Sequence, residues 1–261
     1  MSVNSHLTSL VSELILSDTE KTSISTSIKT LSSRLDLYFG GLITDKFQFG
    51  SSTRATILPR RVDSKSDIDY MVVFNISTVQ YKPQTYLNYL KTFVNLKYST
   101  SEICQSYPTI VLSLNHINFE LVPAIYNYGY HIPSPASSWL EWMNTDPSTA
   151  NKLLEDKNKN TNYRIKPLVR LIKYWNTKNG HKLSSFSIEE YIISRSFFGC
   201  TSLEDYFYSF WEGYNYAHNT PQYIKNLVDS AKQSAKIAKA HQNNNQPILA
   251  ELEIRKILPQ L

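Results

Sequence analysis

Two aspartates separated by a single residue stand at the start of a strand-like segment. Asp67 and Asp69 lead into the run 69–74, which is rich in valine and aromatic residues. Because residues i and i+2 of a strand project to the same face, both carboxylates can bind one hard cation. Carboxylate oxygens are ligands that Mg²⁺ prefers. The pair therefore predicts a divalent-metal site, although an Asp-x-Asp pattern alone is also common in surface turns.

A glycine, a serine and a third acid extend this pattern. Gly50 and Ser51 follow the strand-like run 43–49, where a glycine lets the backbone approach a phosphate and a serine offers an amide and a hydroxyl. Glu120 lies in the apolar run 117–125, where an acid has no evident structural purpose. A third carboxylate would complete a site for two metal ions. A solvent-facing position on an edge strand would also explain Glu120.

Composition narrows the class of protein. The chain has 261 residues, a net charge of +5 and 41% hydrophobic residues, which is typical of a globular protein and excludes collagen-like and disordered classes. No apolar run is long enough for a transmembrane helix, and no signal peptide is visible. Cys104 and Cys200 lack disulfide-framework or zinc spacing. We therefore expect a cytoplasmic protein without membrane insertion, whose mild positive charge is compatible with nucleic-acid contact.

The elements that must position these residues divide the chain into two halves. The first half alternates helical and strand-like patterns, which predict helices at 6–38 and 86–96 and strands at 43–49, at 69–74 and within 108–123. The second half is helical, with predicted helices at 167–179, 187–198, 203–216, 221–241 and 247–257. The polar stretch 156–162 is a candidate linker. We expect an α+β fold, with a catalytic lobe at 1–150 that includes the N-terminal helix and a helical lobe at 151–261.

Basic residues are concentrated near the start of the helical half. Between residues 152 and 182 there are nine basic residues and two acidic ones, which favours a phosphate-rich ligand. Lys166, Arg170 and Lys173 recur on one face of the helix predicted near Pro167. A solvated helix face is the alternative interpretation of these three residues.

Taken together, these residues resemble a known family. Gly50-Ser51, Asp67-Ile68-Asp69 and Glu120 in the run Phe-Glu-Leu-Val-Pro-Ala resemble the core of polymerase-β-like nucleotidyltransferases. More narrowly, the chain resembles the bacterial cGAS/DncV-like nucleotidyltransferases (CD-NTases, SMODS-type). The segments 164–193 and 250–259 are similar to that family's spine-helix region and final helix. The sequence departs from the family pattern at Ala55, where glycine is usual, and at Glu120, where aspartate is commoner.

The resemblance implies a fold and a set of site residues. The fold would be a polymerase-β-like nucleotidyltransferase lobe, with a mixed sheet and helices, followed by a helical lobe, with the active site in the cleft between them. The implied metal ligands for Mg²⁺, or for Mn²⁺ in its place, are Asp67, Asp69 and Glu120. The implied nucleotide-binding residues are Gly50, Ser51, Lys173 and Ser185 at the donor triphosphate and Phe186 against a nucleobase. In an average protein, a phenylalanine such as Phe186 belongs to the core.

The resemblance also implies a function. It predicts a Mg²⁺-dependent nucleotidyltransferase that makes a cyclic or linear oligonucleotide from NTPs or dNTPs, as a signal read by a downstream effector in bacterial antiphage defence. Two alternatives stay open. The acceptor could be an RNA 3′ end or a protein, or the chain could be an inactive nucleotide-binding module.

Overall fold

The computed structural model describes residues 2–135 and 139–261, and these form two compact units. The sheet unit consists of the described residues within 16–60 and 64–152. The helical unit consists of those within 1–15, 61–63 and 153–261. No helix in the described ranges is long and apolar enough to cross a membrane.

The predicted helices and strands occur in the predicted order, together with several elements that were not predicted. The helices are α1 (Val3–Glu13), α2 (Asp18–Phe39), α3 (Gly50–Thr53), α4 (Pro83–Lys97), α5 (Pro147–Asn160), α6 (Ile165–Lys178), α7 (Ser185–Ser194), α8 (Leu203–Gly213), α9 (Gln222–Asn243) and α10 (Pro247–Ile257). The strands are β1 (Ile43–Phe49), β2 (Asp67–Phe74), β3 (Glu102–Ser106), β4 (Thr109–Ser113), β5 (Asn118–Tyr126), β6 (Tyr130–Pro133) and β7 (Trp142–Thr145). A short 3₁₀ turn, Gly40–Leu42, joins α2 to β1.

The sheet is mixed, as predicted. Its strands run in the order β1-β2-β5-β4-β3, and β6 and β7 continue from β5 as a separate antiparallel extension. Strands β2 and β5 are parallel, whereas the other described pairs are antiparallel. Strand β5 therefore lies between two strands that precede it in the sequence.

One face of the sheet is buried against helices of the same unit. Ile68, Tyr70 and Val72 of β2 share a core cluster with Phe119 and Leu121 of β5, and residues of α2 and α4 complete it. Because side chains alternate along a strand, the residues between these project to the opposite face. Asp67, Asp69 and Glu120 therefore lie on the face of the sheet opposite this core.

The predicted N-terminal helix is in fact two helices. Ser17 begins α2 with a capping box, in which its hydroxyl accepts from the Glu20 amide while the Glu20 carboxylate accepts from the Ser17 amide. Helix α1 belongs to the helical unit, where it packs against α6, α8 and α10. Its buried face includes His6, whose Nε2 lies 3.1 Å from the Leu258 carbonyl. We predicted that the whole N-terminal helix belongs to the catalytic lobe, whereas α1 packs within the helical unit. The division of the chain into two lobes near residue 150 stays a prediction.

The predicted linker at 156–162 is wrong, because most of it belongs to α5. That helix buries Leu154 and Asn158. The Asn158 side chain accepts a 3.1 Å hydrogen bond from the backbone N–H of Lys166 and so ties α5 to the start of α6. The sequence did not reveal this helix because most of its residues are polar. Only Leu154 and Asn158 are buried, which is too few to give an apolar pattern.

Candidate active site

The three predicted acids share one face of two neighbouring strands. In the parallel β2–β5 pair, Asp69 stands opposite Glu120 and Asp67 stands opposite Asn118. Neighbouring strands lie about 4.8 Å apart. All three acids are partly buried, and Asp67 and Asp69 project to the same side because they are two residues apart. The structure thus brings the predicted acids together on one surface, which we call the acidic row.

Gly50 lies against this row and cannot be replaced without cost. Its φ of +74° is in the left-handed region that favours glycine. A β-carbon added at Gly50 would overlap the carboxylate of Asp69. Phe49, the preceding residue, pairs with Asp69 across β1 and β2. The Gly-Ser segment therefore passes over the acidic row only because residue 50 has no side chain.

Hydrogen bonds stabilise the turn that follows Gly50. The carbonyl of Ser51 accepts from the backbone N–H groups of Thr56, at 3.0 Å, and Ile57, at 3.2 Å. Thr53 Oγ1 donates to the Gly50 carbonyl at 2.9 Å. Ala55 has a φ of +56°, in the left-handed region that favours glycine, which is the residue that the family resemblance predicts at this position. Ala55 thus holds a left-handed conformation within this hydrogen-bonded turn.

Burial acts directly on the third acid. Desolvation raises the pKa of Glu120 above its usual range, because the partly buried site disfavours the charged carboxylate. A neighbouring cation would relieve this cost. The donor set, three carboxylates of hard oxygen atoms, fits a divalent ion such as Mg²⁺.

The pKa of Glu120 gives a prediction for stability. Because the folded-state pKa is raised, ionised Glu120 destabilises the fold at pH values above that pKa. We expect Glu120→Gln to unfold at a higher temperature than the wild type at about pH 7 without divalent metal, and the difference to disappear near pH 4. Thermal unfolding followed by circular dichroism tests this. A variant that is less stable at neutral pH would contradict it.

The described side chains do not by themselves form a closed metal site. Within residues 2–135 and 139–261, no three His, Cys, Asp or Glu side chains are arranged so that they could hold a metal ion. Asp67, Asp69 and Glu120 share a face and neighbouring positions on β2 and β5. Their role as metal ligands stays a prediction.

The predicted triphosphate lysine belongs to the helical unit and is buried. Lys173 Nζ lies 3.1 Å from Glu189 Oε1 on α7, and the two side chains are only 9% and 3% exposed. Arg170, on the same helix, is also buried. Ten of the fourteen residues of α6 are buried, so the interpretation as a solvated face is wrong for Lys173 and Arg170. Lys166 is partly exposed and pairs with Glu155 at 2.6 Å.

A buried ion pair predicts a large effect on stability. Removing one partner leaves the other charge desolvated, which typically costs about 3–5 kcal/mol. We expect Glu189→Ala to lower the free energy of unfolding by this amount, as measured by urea denaturation. The matched control is Glu212→Ala, which breaks the exposed 2.7 Å pair with Lys239 and should cost less than about 1 kcal/mol. Equal losses in the two variants would contradict the prediction.

Ser185 and Phe186 begin α7, one turn before Glu189. Ser184 caps this helix, since its hydroxyl accepts from the Ser187 amide at 3.3 Å. The Phe186 side chain is 52% exposed, so it is not a core residue. An exposed ring at a helix start is available to stack on a nucleobase. The predicted roles of Ser185 and Phe186 are compatible with these positions and stay predictions.

Sequence reasoning missed three residues that the structure places near the predicted ones. Glu189 escaped notice because nothing in its sequence context shows that it faces Lys173 on another helix. Asn118 lies two residues before Glu120, so the period of a strand could have placed it on the same face. Arg60 donates to Asn118 Oδ1 at 2.9 Å, a contact that no local pattern indicates.

The chain is similar in sequence to two curated proteins. A 26% identical match over 187 residues joins 69% of this chain to 53% of the cyclic AMP-AMP-AMP synthase of Acinetobacter sp.. A 32% identical match over 95 residues joins 34% of this chain to 28% of a probable cyclic nucleotide synthase of Bacillus cereus strain VD146. The matched segments thus span about half, or less, of these curated relatives.

Solved structures show the same fold over nearly the whole chain. E. coli MS115-1 CdnC with ATP superposes with a TM-score of 0.74 at 14% identity, covering 100% of this chain and 98% of that one. The 3′-deoxy GTP-bound form of Escherichia coli DncV gives a TM-score of 0.71 at 11% identity, covering 96% and 93%. The predicted α+β nucleotidyltransferase fold is confirmed.

A family model gives the strongest assignment from sequence. The Second Messenger Oligonucleotide or Dinucleotide Synthetase (SMODS) domain matches residues 1–158. This range contains Gly50, Ser51 and the whole acidic row. The resemblance inferred from these residues is therefore confirmed, and the chain belongs to the SMODS family of CD-NTases.

Proposed function

We propose that this chain is a divalent-metal-dependent nucleotidyltransferase that makes a cyclic or linear oligonucleotide from NTPs or dNTPs. The observation that carries the proposal is the register of β2 and β5, which sets Asp69 beside Glu120 with Asp67 on the same face. The names of the relatives, both cyclic nucleotide synthases, support it. So do the nucleotides present in the CdnC and DncV structures.

The acidic row would hold the metal. Asp67, Asp69 and Glu120 would bind Mg²⁺, or Mn²⁺ in its place. The ions would supply positive charge that favours the deprotonated attacking hydroxyl and neutralises the leaving pyrophosphate. The raised pKa of Glu120 supports this assignment, because a bound cation would offset the desolvation of its carboxylate.

The residues of the chain would position the two reacting nucleotides. A 2′- or 3′-hydroxyl oxygen of one nucleotide bonds to the α-phosphorus of the other. The bond from that phosphorus to the bridging oxygen of the β-phosphate breaks, pyrophosphate leaves, and the hydroxyl proton passes to solvent. Catalysis of this kind depends mainly on alignment and charge stabilisation. Gly50 and Ser51 would hold the donor triphosphate through backbone N–H groups and a hydroxyl.

The helical unit would supply the remaining contacts to the donor. Lys173 and Ser185 would bind its triphosphate, and Phe186 would stack on its base, as the family resemblance implies. Since Lys173 is paired with Glu189, its charge would be shared between that carboxylate and the phosphates. The exposed Phe186 ring supports the stacking role.

The product would act as a signal rather than a metabolic intermediate. We propose that a separate effector protein binds it and that the system serves bacterial antiphage defence in the cytoplasm. The family name, which refers to second messengers, supports a signalling role. E. coli CdnC has been solved in a complex with a HORMA protein, which supports the further idea of a protein partner for this chain.

The first experiment is an incubation of the purified protein with labelled NTPs and dNTPs, singly and mixed, with Mg²⁺ or Mn²⁺. Products are resolved by chromatography and mass spectrometry. The background control is the double variant Asp67→Ala/Asp69→Ala. Asp45→Asn is the matched control, because Asp45 is an exposed carboxylate on β1 about 13 Å along the strand from Phe49.

The outcomes separate the alternatives. A phosphatase-resistant small oligonucleotide, lost in the double variant and kept in Asp45→Asn, supports a cyclic product. A phosphatase-sensitive ladder supports a linear one. Product that forms only with added RNA or protein would replace the proposal with a different acceptor. An ATP-dependent rise in Tm without any transfer would favour the inactive nucleotide-binding module.

A further inference from the structure

The loop that leads into β2 is long and contains no helix or strand. It comprises residues 54–66, between the end of α3 at Thr53 and the start of β2 at Asp67. Loops of more than about 12 residues without secondary structure are uncommon in compact domains and usually have a function. This loop joins the Gly-Ser segment to the acidic row, so its conformation can change the position of the first acid.

Asp67 is the acid of β2 that the sheet itself holds less firmly. It is the first residue of β2, and its described strand partner is Asn118 of β5, because the pairing of β2 with β1 stops at Asp69. Asp69, by contrast, is paired with a residue on both sides. The ends of secondary-structure elements open at low free-energy cost. The position of Asp67 therefore depends on the residues just before it.

Residues 61–63 of this loop pack within the helical unit and not with the sheet unit. Arg61 Nη2 donates to the last backbone carbonyl of α1 at 2.5 Å. Asp63 has a contact at each carboxylate oxygen: Oδ1 lies 3.2 Å from His181 Nε2, and Oδ2 accepts from Thr177 Oγ1 at 3.3 Å. The Asp63 side chain is 14% exposed, so both contacts are largely shielded from solvent.

The turn after α6 holds His181 in a fixed conformation. His181 has a φ of +57°, and its backbone N–H donates to the Asn176 carbonyl at 2.8 Å. The buried Asn176 side chain accepts from the Leu183 N–H at 2.9 Å and donates to the Leu183 carbonyl at 2.8 Å. These hydrogen bonds close the turn around His181. Its imidazole is therefore preorganised for the contact with Asp63.

The distance along the chain from Asp63 to the acidic row is short. Asp63 is four residues before Asp67, and that length of chain spans at most about 14 Å. Between them, Ser66 is buried, and its hydroxyl donates to the Leu58 carbonyl at 2.7 Å. With Asp63 and Ser66 both held, the chain enters β2 from a fixed position. Loss of the Asp63 contacts would let the start of β2 open.

We propose that Asp63 is a positioning residue for the metal ligand Asp67, and that Thr177 and His181 influence divalent-metal binding through it. The proposal rests on the proposed nucleotidyltransferase function and deepens it. Asp63 acts by ordering the start of β2 and not by contact with metal or nucleotide. The Asp67 carboxylate is then in place before the metal arrives, so metal binding does not have to order this part of the chain.

Four variants separate these contacts from general stability. Asp63→Ala removes both contacts, and Thr177→Val removes one. His181→Asn keeps a residue that tolerates the left-handed turn but is too short to reach Asp63, whereas His181→Gln restores a donor at about the length of the imidazole. The matched control is Asp229→Ala, which removes another carboxylate of the helical unit that accepts a hydroxyl hydrogen bond, from Tyr216 at 3.0 Å.

Three measurements are made on each variant. Hydrogen exchange followed by mass spectrometry reports the order of residues 64–70 in metal-free protein. Isothermal titration calorimetry gives the Kd of Mn²⁺ without nucleotide. Initial rates of product formation at saturating metal give the KM of the NTP substrate, and circular dichroism gives Tm.

We expect Asp63→Ala and His181→Asn to speed exchange within 64–70 and to raise the Kd of Mn²⁺ about tenfold, as the loss of a hydrogen bond to a charged group predicts. The KM of NTP at saturating metal should stay within about twofold. His181→Gln should restore the Kd, and the double variant Asp63→Ala/His181→Asn should bind no more weakly than Asp63→Ala, because both changes break the same contact. Asp229→Ala should match the wild type. Thr177→Val and His181→Asn, the smaller changes, keep the test valid if Asp63→Ala unfolds.

The results that would overturn the proposal differ from each other. If the wild type binds Mn²⁺ and makes product while the variants keep its Kd, Asp63 does not position the metal ligand, whether or not exchange within 64–70 becomes faster, and the proposed function stands. If Asp229→Ala raises the Kd as much as Asp63→Ala does, the effect is general destabilisation, which also contradicts the proposal. If the wild type neither binds Mn²⁺ nor makes product, the proposed function itself fails, and this proposal with it.

Discussion

Asp69→Asn is expected to reduce product formation by about a thousandfold or more while leaving the protein folded. Asparagine keeps the size of the side chain and removes its negative charge. The proposed metal would therefore lose a ligand at the position that stands opposite Glu120. At the same time the variant removes one of three like charges from a single sheet face. We expect its Tm in metal-free buffer to be equal to that of the wild type or higher.

The test is specific because activity is lost while stability is retained. Initial rates of product formation are measured by chromatography, and Tm by circular dichroism with and without divalent metal. In the wild type, Mg²⁺ or Mn²⁺ should raise Tm, and in Asp69→Asn this increase should be reduced. The control Asp45→Asn should keep both the activity and the metal-dependent increase. A folded Asp69→Asn protein with wild-type rates would refute the metal-ligand role.

Gly50→Ala is expected to reduce activity at least a hundredfold, for a reason other than charge. Alanine at a φ of +74° costs about 1–2 kcal/mol in the backbone. Its β-carbon would in addition overlap the Asp69 carboxylate, which must then move away from its place opposite Glu120. Misplacement of a catalytic group by about 1 Å can cost a hundredfold in rate.

Two neighbouring glycines separate the contributions to this effect. Gly40 has a φ of +51° but open space at its β-carbon position, and Gly41 also has open space without a left-handed φ. Gly40→Ala should lower Tm with little loss of activity per folded molecule, and Gly41→Ala should change neither. Rates normalised to the folded fraction make the comparison. If Gly50→Ala retained the activity of Gly41→Ala, close passage of the backbone over Asp69 would not matter for the reaction.

The elements that carry the acidic row could be predicted from the sequence, because their signals are local. Alternating or continuous apolar residues mark β1, β2 and β5, and the two-residue period places Asp67 and Asp69 on one face. Strand β3 was not predicted. Most of its residues are exposed and polar, so it lacks an apolar pattern and forms only because β4 pairs with it.

The relations between distant segments could not be predicted in the same way. The sequence placed Lys173 on a basic helix face, but burial against a carboxylate on α7 depends on how two helices pack. The same holds for Arg60 and Asn118, whose contact joins a loop to a strand. Register between β2 and β5 also arises from tertiary pairing, so the sequence supported three acids near one another without showing which stand side by side.

The parallel pairing of β2 with β5 has a consequence for the time at which activity can arise. Strand β5 is made after β3 and β4, yet it lies between β4 and the earlier strand β2. Pairing between segments so distant in the chain is slow compared with the formation of local helices or hairpins. A nascent chain from which only the residues up to β4 have emerged from the ribosome contains Asp67 and Asp69. It still lacks β5, which carries Glu120 and pairs with β2. Under the proposed function, nucleotide turnover would therefore require the insertion of β5, and incompletely synthesised chains would produce no signal.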